Sequence, residues 1–121
     1  MRKKNRFLTA LNGLAHVFKK ERNFKIHLIA FISVIILGWW FQIKAIEWIA
    51  ILIASVLVLA FEIINTAIEI LCDFVHPEED LKIGRIKDIS AASVLICAMM
   101  SGVIGLIVFI PYLMNMFCDS N

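Results

Sequence analysis

Glu62, Asn65, Glu69 and Asp73 stand in a segment that is otherwise apolar enough to cross a membrane. At 100° per residue their offsets place all four within about 80° of one another on a helix. An ionised carboxylate at bilayer depth costs about 2.5–3.5 kcal/mol even on a lenient insertion scale, so the stripe must face protein, metal or substrate. A deep carboxylate can accept a proton from an alcohol, and a shallower one can hold Mg²⁺ carrying phosphates. Lys87 and Asp88, at the start of the next apolar run, could supply a phosphate partner and a further polar contact. Such a set suits phosphoryl transfer between a water-soluble donor and an oily acceptor. Neither a G-x-x-x-x-G-K-[ST] loop nor a protein-kinase signature occurs, so a nucleotide would have to be held by metal and side chains.

The elements that must position these residues are helical and membrane-bound. With 121 residues, 61% hydrophobic composition and a mean hydropathy of +0.87, the chain is too oily for a small soluble domain. An all-α membrane protein of one unit over 1–121 is expected, with an amphipathic surface helix over about 5–22 and transmembrane helices over about 26–43, 47–73 and 89–112. Phe7, Leu8, Leu11, Leu14, Ala15 and Phe18 supply the apolar face of the first helix, and Trp39 and Trp40 an aromatic belt. Pro111 predicts the end of the last span. The basic start leads into an amphipathic stretch rather than a short apolar core, so no cleavable signal is expected and the mature chain should begin at Met1. Cys72, Cys97 and Cys118 lack metal or redox spacing and read as packing residues.

The formal net charge is only +2, but its distribution is informative. Arg2, Lys3, Lys4, Arg6, Lys19, Lys20, Arg22 and Lys25 precede the first span, and Lys82, Arg85 and Lys87 lie in the 74–88 segment. Lys44 alone lies between the first two spans. The asymmetry predicts a cytoplasmic N-terminus and 74–88 loop, with the C-terminus outside, in a multi-pass protein of the bacterial cytoplasmic membrane. Counted from Trp48, Glu62 lies about 21 Å deep, Glu69 about 31 Å and Asp73 about 37 Å, so the stripe joins lipid to cytosol.

Plainer readings compete residue by residue. Asn65 and Thr66 could be interhelical glue, Asp73 an interfacial charge, and Glu78, Glu79 and Asp80 a solvated acidic run. His16, His27 and His76 lack ligand spacing and read as interfacial polar residues. Gly102 and Gly105 read as sites of close helix packing. A small proton- or ion-conducting oligomer would also bury a glutamate, although one isolated carboxylate would suffice for it. A structural adaptor would leave the stripe without a purpose. No nucleic-acid partner is expected.

The run Glu62-Ile-Ile-Asn65-Thr66-Ala67-Ile-Glu69-Ile-Leu-Cys-Asp73, followed by Lys87-Asp88, resembles the signature of the prokaryotic diacylglycerol kinase and undecaprenol kinase family. The stretch Glu21-Arg-Asn-Phe-Lys-Ile-His27 is similar to the undecaprenol-type branch. The resemblance implies a homotrimer with active sites shared between subunits, and MgATP-dependent phosphorylation of a lipid hydroxyl at the cytoplasmic face. By position it implies Glu62 as the catalytic base and Glu21 and Glu69 as ligands of metal and ATP. Asn65 and Asp73 match further polar positions of the site, Lys87 and Asp88 its nucleotide contacts, and Glu78 and Asp80 loop positions near ATP. Thr9 and His27 stand where the best-known diacylglycerol kinases carry Tyr and Glu, which favours undecaprenol over diacylglycerol as the acceptor.

Overall fold

A computed structural model describes residues 5–119, so Arg2, Lys3 and Lys4 lie outside the described residues. Four helices follow one another: α1 (Arg6–Lys20), α2 (Arg22–Phe41), α3 (Ala45–Val75) and α4 (Leu81–Asp119). The last three are long and apolar enough to cross a membrane. α3 is the hub, packing most extensively on α4 and also on α2 and α1.

Local chemistry sets each boundary. The Asn5 side chain accepts a hydrogen bond from the Phe7 N–H (2.9 Å) and starts α1. Glu21 adopts an extended backbone (φ −103°, ψ 113°), which separates α1 from α2 and puts a partly buried carboxylate at the break. α2 ends in a Schellman turn: Gln42 takes the left-handed conformation (φ 51°), while Gln42 N–H bonds Trp39 O (3.3 Å) and Ile43 N–H bonds Gly38 O (3.2 Å). α3 then starts with the Lys44 N–H donating to Glu47 Oε1 (2.9 Å).

The apolar core lies at this 42–44 end. Ile43, Ile51, Val108 and Phe109 are buried together, with Val34, Phe41, Trp48, Ile104 and Tyr112 packed around them. Gly38 allows the close approach of α2 and α3, because a Cβ there would lie 2.7 Å from Trp48 Cη2.

Three expectations are corrected. Pro111 does not end the last helix; α4 runs through it to Asp119. Proline removes one backbone donor, but Tyr112 just beyond it donates its hydroxyl to Glu47 Oε1 and packs on Phe41 (5.8 Å between ring centroids), which holds the helix in register. The 74–88 segment is mostly helix, because Asp80 Oδ2 accepts from the Lys82 and Ile83 N–H groups (2.9 and 3.2 Å) and caps α4. Gly102 and Gly105 are not at a close helix contact within the chain. A Cβ on either would meet nothing within 4 Å, and both instead line a cavity of about 340 Å³ between α2, α3 and α4.

Candidate active site

On α3, Glu62, Asn65 and Thr66 are buried, Glu69 is half-buried, and Asp73 is exposed. The stripe therefore grades from interior to surface along one face of the helix. Asn65 Nδ2 donates to Glu69 Oε1 (3.2 Å) and Thr66 Oγ1 donates back to the Glu62 carbonyl (3.0 Å). Thr66 is thus spent on its own helix, whereas Asn65 orients a carboxylate.

Glu62 is only 3% exposed, and its nearest ionisable neighbour is His27 on α2, with Nε2 3.9 Å from Glu62 Oε2. The charges of Glu21, at the α1–α2 break, and of Glu69 also bear on it. Two further carboxylates and one imidazole, from separate parts of the chain, thus bear on Glu62. His27, expected to be a plain interfacial residue, instead faces the buried carboxylate. Periodicity gives no sign of this contact, because it joins two helices; only the family resemblance singles out the position.

At the outer end of the stripe Lys87 Nζ donates to Asp73 Oδ1 (2.6 Å), tying α4 to α3 across the connection. Lys87 also feels the charge of Glu69, so it links the two groups of carboxylates. Asp73, Glu78, Asp80 and Lys87 line one cleft of about 510 Å³ with Pro77 and Gly84. Asp88 is exposed on α4 and does not line it. The Glu78 carbonyl lies 3.1 Å from His76 Nδ1, and Asp80 serves as the α4 cap as well as a wall of the cleft.

Among the described residues two buried polar atoms have no hydrogen-bond partner: Asn65 Oδ1 and Ser90 Oγ. Orphaned atoms of this kind are uncommon in folded proteins. Ser90 escaped the sequence reading, although it follows Lys87 by one helical turn and the spacing argument applied to α3 would have reached it.

Among the described residues no three His, Cys, Asp or Glu side chains form a metal cluster. The donor set nevertheless fits Mg²⁺, which is usually bound through one or two carboxylates and completed by water and phosphate oxygens. Glu21 makes no side-chain capping bond, and Glu69 receives the Asn65 amide on one oxygen, which leaves the other available.

Comparison with known sequences gives the family of the chain. The family described as prokaryotic diacylglycerol kinase matches residues 8–109. The chain is 33% identical over 107 residues to the undecaprenol kinase of Bacillus subtilis (strain 168), covering 88% of this chain and 87% of that one. It is 29% identical over 111 residues to a diacylglycerol kinase of Synechocystis sp., covering 91% of this chain and 63% of the relative. It is 31% identical over 84 residues to the diacylglycerol kinase of Escherichia coli (strain K12), covering 69% of each. With a match that takes in Glu21, the whole α3 stripe, Lys87 and Asp88, the chain belongs to the prokaryotic diacylglycerol kinase family.

Proposed function

We propose that this protein is an integral membrane kinase that transfers the γ-phosphate of ATP to a lipid hydroxyl, with undecaprenol as the acceptor. The observation that carries the reading is the graded stripe on α3. A buried carboxylate at Glu62 suits an acceptor held in lipid, and the cleft of Asp73 and Lys87 suits a donor arriving from water.

In this mechanism Glu62 takes the proton of the lipid hydroxyl as its oxygen attacks the γ-phosphorus, and the bond to the β,γ-bridging oxygen breaks to release ADP. Lys87 neutralises phosphate charge. One of its three N–H donors is used on Asp73, which aims the ammonium and leaves two donors for phosphate oxygens. Asn65 sets the orientation of Glu69. Glu21 and Glu69 would hold Mg²⁺, which when bound would neutralise phosphate charge. Asp88, Glu78 and Asp80 provide the remaining nucleotide contacts.

Undecaprenol is favoured by Thr9 and His27 and by the relative matched over 87% of its length. The alternative, diacylglycerol, is what the other relatives are named for. Purified protein in mixed micelles with labelled ATP and Mg²⁺ should phosphorylate undecaprenol with the higher kcat/KM. A higher value for diacylglycerol would reverse the assignment, and no transfer to either lipid would end it.

A homotrimer with shared sites would supply partners for the two orphaned polar atoms of the single chain. α1, with Phe7, Leu8, Leu11, Leu14 and Phe18 exposed, then lies as an amphipathic helix in the headgroup plane. The bacterial cytoplasmic membrane is the proposed location, with the site facing the cytoplasm. Lys19, Lys20, Arg22, Lys25, Lys82, Arg85 and Lys87 gather at the site end of the hairpins, and Lys44 stands alone at the other. In a background without native cysteines, Glu78→Cys should react with an impermeant thiol reagent only from the cytoplasmic side, and Lys44→Cys only from the opposite one.

A further inference from the structure

We propose that His27 is the proton outlet of Glu62; the inference rests on the reading of Glu62 as the base. A base buried to 3% exposure can take the substrate's proton, but it must lose that proton before the next cycle. Glu62 itself presents almost no surface. Thr66, packed one turn further along the same helix, is fully buried and bonded to the Glu62 carbonyl.

The groups that face Glu62 are few. From α3 itself there is Glu69, from the α1–α2 break Glu21, and from α2 His27. Among the described residues no charged group of α4 bears on it. Glu21 and Glu69 are carboxylates assigned to the phosphate side, and a proton passed to them would weaken their hold on metal and nucleotide. His27 is the one neighbour that gains a proton at no cost to that hold.

Its position also gives the proton somewhere to go. The side chain is 27% exposed, nine times more than that of Glu62, and it borders the cavity of about 340 Å³ between α2 and α4. The separation of 3.9 Å exceeds a hydrogen bond. Catalytic contacts are commonly long without substrate and tighten in the reacting complex.

The transfer balances simply. The lipid O–H proton moves to a Glu62 oxygen as the new P–O bond forms. It then moves to His27 Nε2, leaving Glu62 as carboxylate and His27 as imidazolium, and the imidazolium releases it to water. His27 therefore acts through Glu62 and touches neither phosphate nor reacting oxygen.

The test is rapid-mixing kinetics on the intact protein in lipid micelles. His27→Gln should complete a first turnover at close to the wild-type rate, giving a burst of one phosphorylated lipid per site. Steady turnover should then fall by roughly a hundredfold, the lower end of the range for loss of a proton-transfer group. His27→Ala should show the same pattern, and added imidazole, small enough for the enlarged cavity, should restore steady turnover in proportion to its free-base fraction. Imidazole should not rescue the His27→Ala, Glu62→Gln double variant.

First and later turnovers slowed equally, without imidazole rescue, would make His27 a structural residue and overturn the proposal. Unchanged steady turnover in His27→Gln would do the same. Near-normal turnover of Glu62→Gln alone would instead remove the base, a failure of the underlying reading that is distinct from a failure at His27.

Discussion

The two ends of α3 carry the same residue type in opposite circumstances. Glu47, at the 42–44 end, accepts the Lys44 N–H and the Tyr112 hydroxyl and stands beside the buried core of Ile43, Ile51, Val108 and Phe109. Glu62, further along the same helix, is buried with an imidazole nitrogen 3.9 Å away, near an Asn65 oxygen without a donor. One end satisfies its polar groups and holds the helices together. At the other, the buried Asn65 Oδ1 has no hydrogen-bond donor. Local rules of stability fail where function is built, and α3 separates the two along its length.

The largest effect expected from this contrast is at Glu62. Glu62→Gln keeps size and hydrogen-bonding capacity but cannot accept the proton, so kcat should fall by roughly 10²–10⁴ with nucleotide binding little changed. Because the substitution also removes a buried charge, thermal unfolding in detergent should show no loss of stability. Glu47→Gln should do the reverse, lowering the melting temperature while leaving kcat close to wild type. Equal effects at the two positions would erase the comparison.

A smaller effect is expected at the proposed metal ligands. Glu21→Gln or Glu69→Gln removes one charged oxygen donor and should raise the Mg²⁺ concentration for half-maximal activity by about tenfold or more. Wild-type Mg²⁺ dependence in both variants would take metal binding away from this pair.

Packing at the aromatic end should be felt in stability alone. Gly38→Ala places a Cβ 2.7 Å from Trp48 Cη2. Overpacking typically costs about 1–3 kcal/mol, more than the roughly 1 kcal/mol that alanine gains in a helix, so net destabilisation up to about 2 kcal/mol is expected with kcat intact. The smallest change is Gln42→Gly. It relieves a non-glycine residue held at φ 51° and should stabilise by less than about 1 kcal/mol, part of the gain being lost to the more flexible unfolded chain. A measurable fall in stability would show that the Gln42 side chain contributes more than its backbone costs.

The α3 stripe was legible before any coordinates because four polar residues in an apolar run obey one period, and periodicity survives in a single sequence. Lys87 and Asp73 were both singled out, but their mutual bond closes over a turn and is set by how α4 begins. That start depends on Asp80, whose acidic neighbours Glu78 and Glu79 made it look merely solvated. The end at Pro111 was misread because a local rule about a missing donor was outweighed by Tyr112 reaching Glu47, 65 residues away. His27 was misread for the same reason, since its meaning comes from a helix it does not belong to. Gly102 and Gly105 suggested contact, where the single chain has a space.

The 31 residues of α3 make a rod about 46 Å long, whereas the hydrocarbon of a bilayer is about 30 Å thick. Trp39, Trp40 and Trp48 at one end favour a fixed interfacial level, so the surplus of about 16 Å emerges at the other end, where Glu69 and Asp73 lie. Membrane thickness thereby becomes a dimension of the active site. A thicker bilayer draws the outer carboxylates toward the oil, and a thinner one lifts Glu62 toward the headgroups. The lipids around this protein set the height at which its two substrates meet.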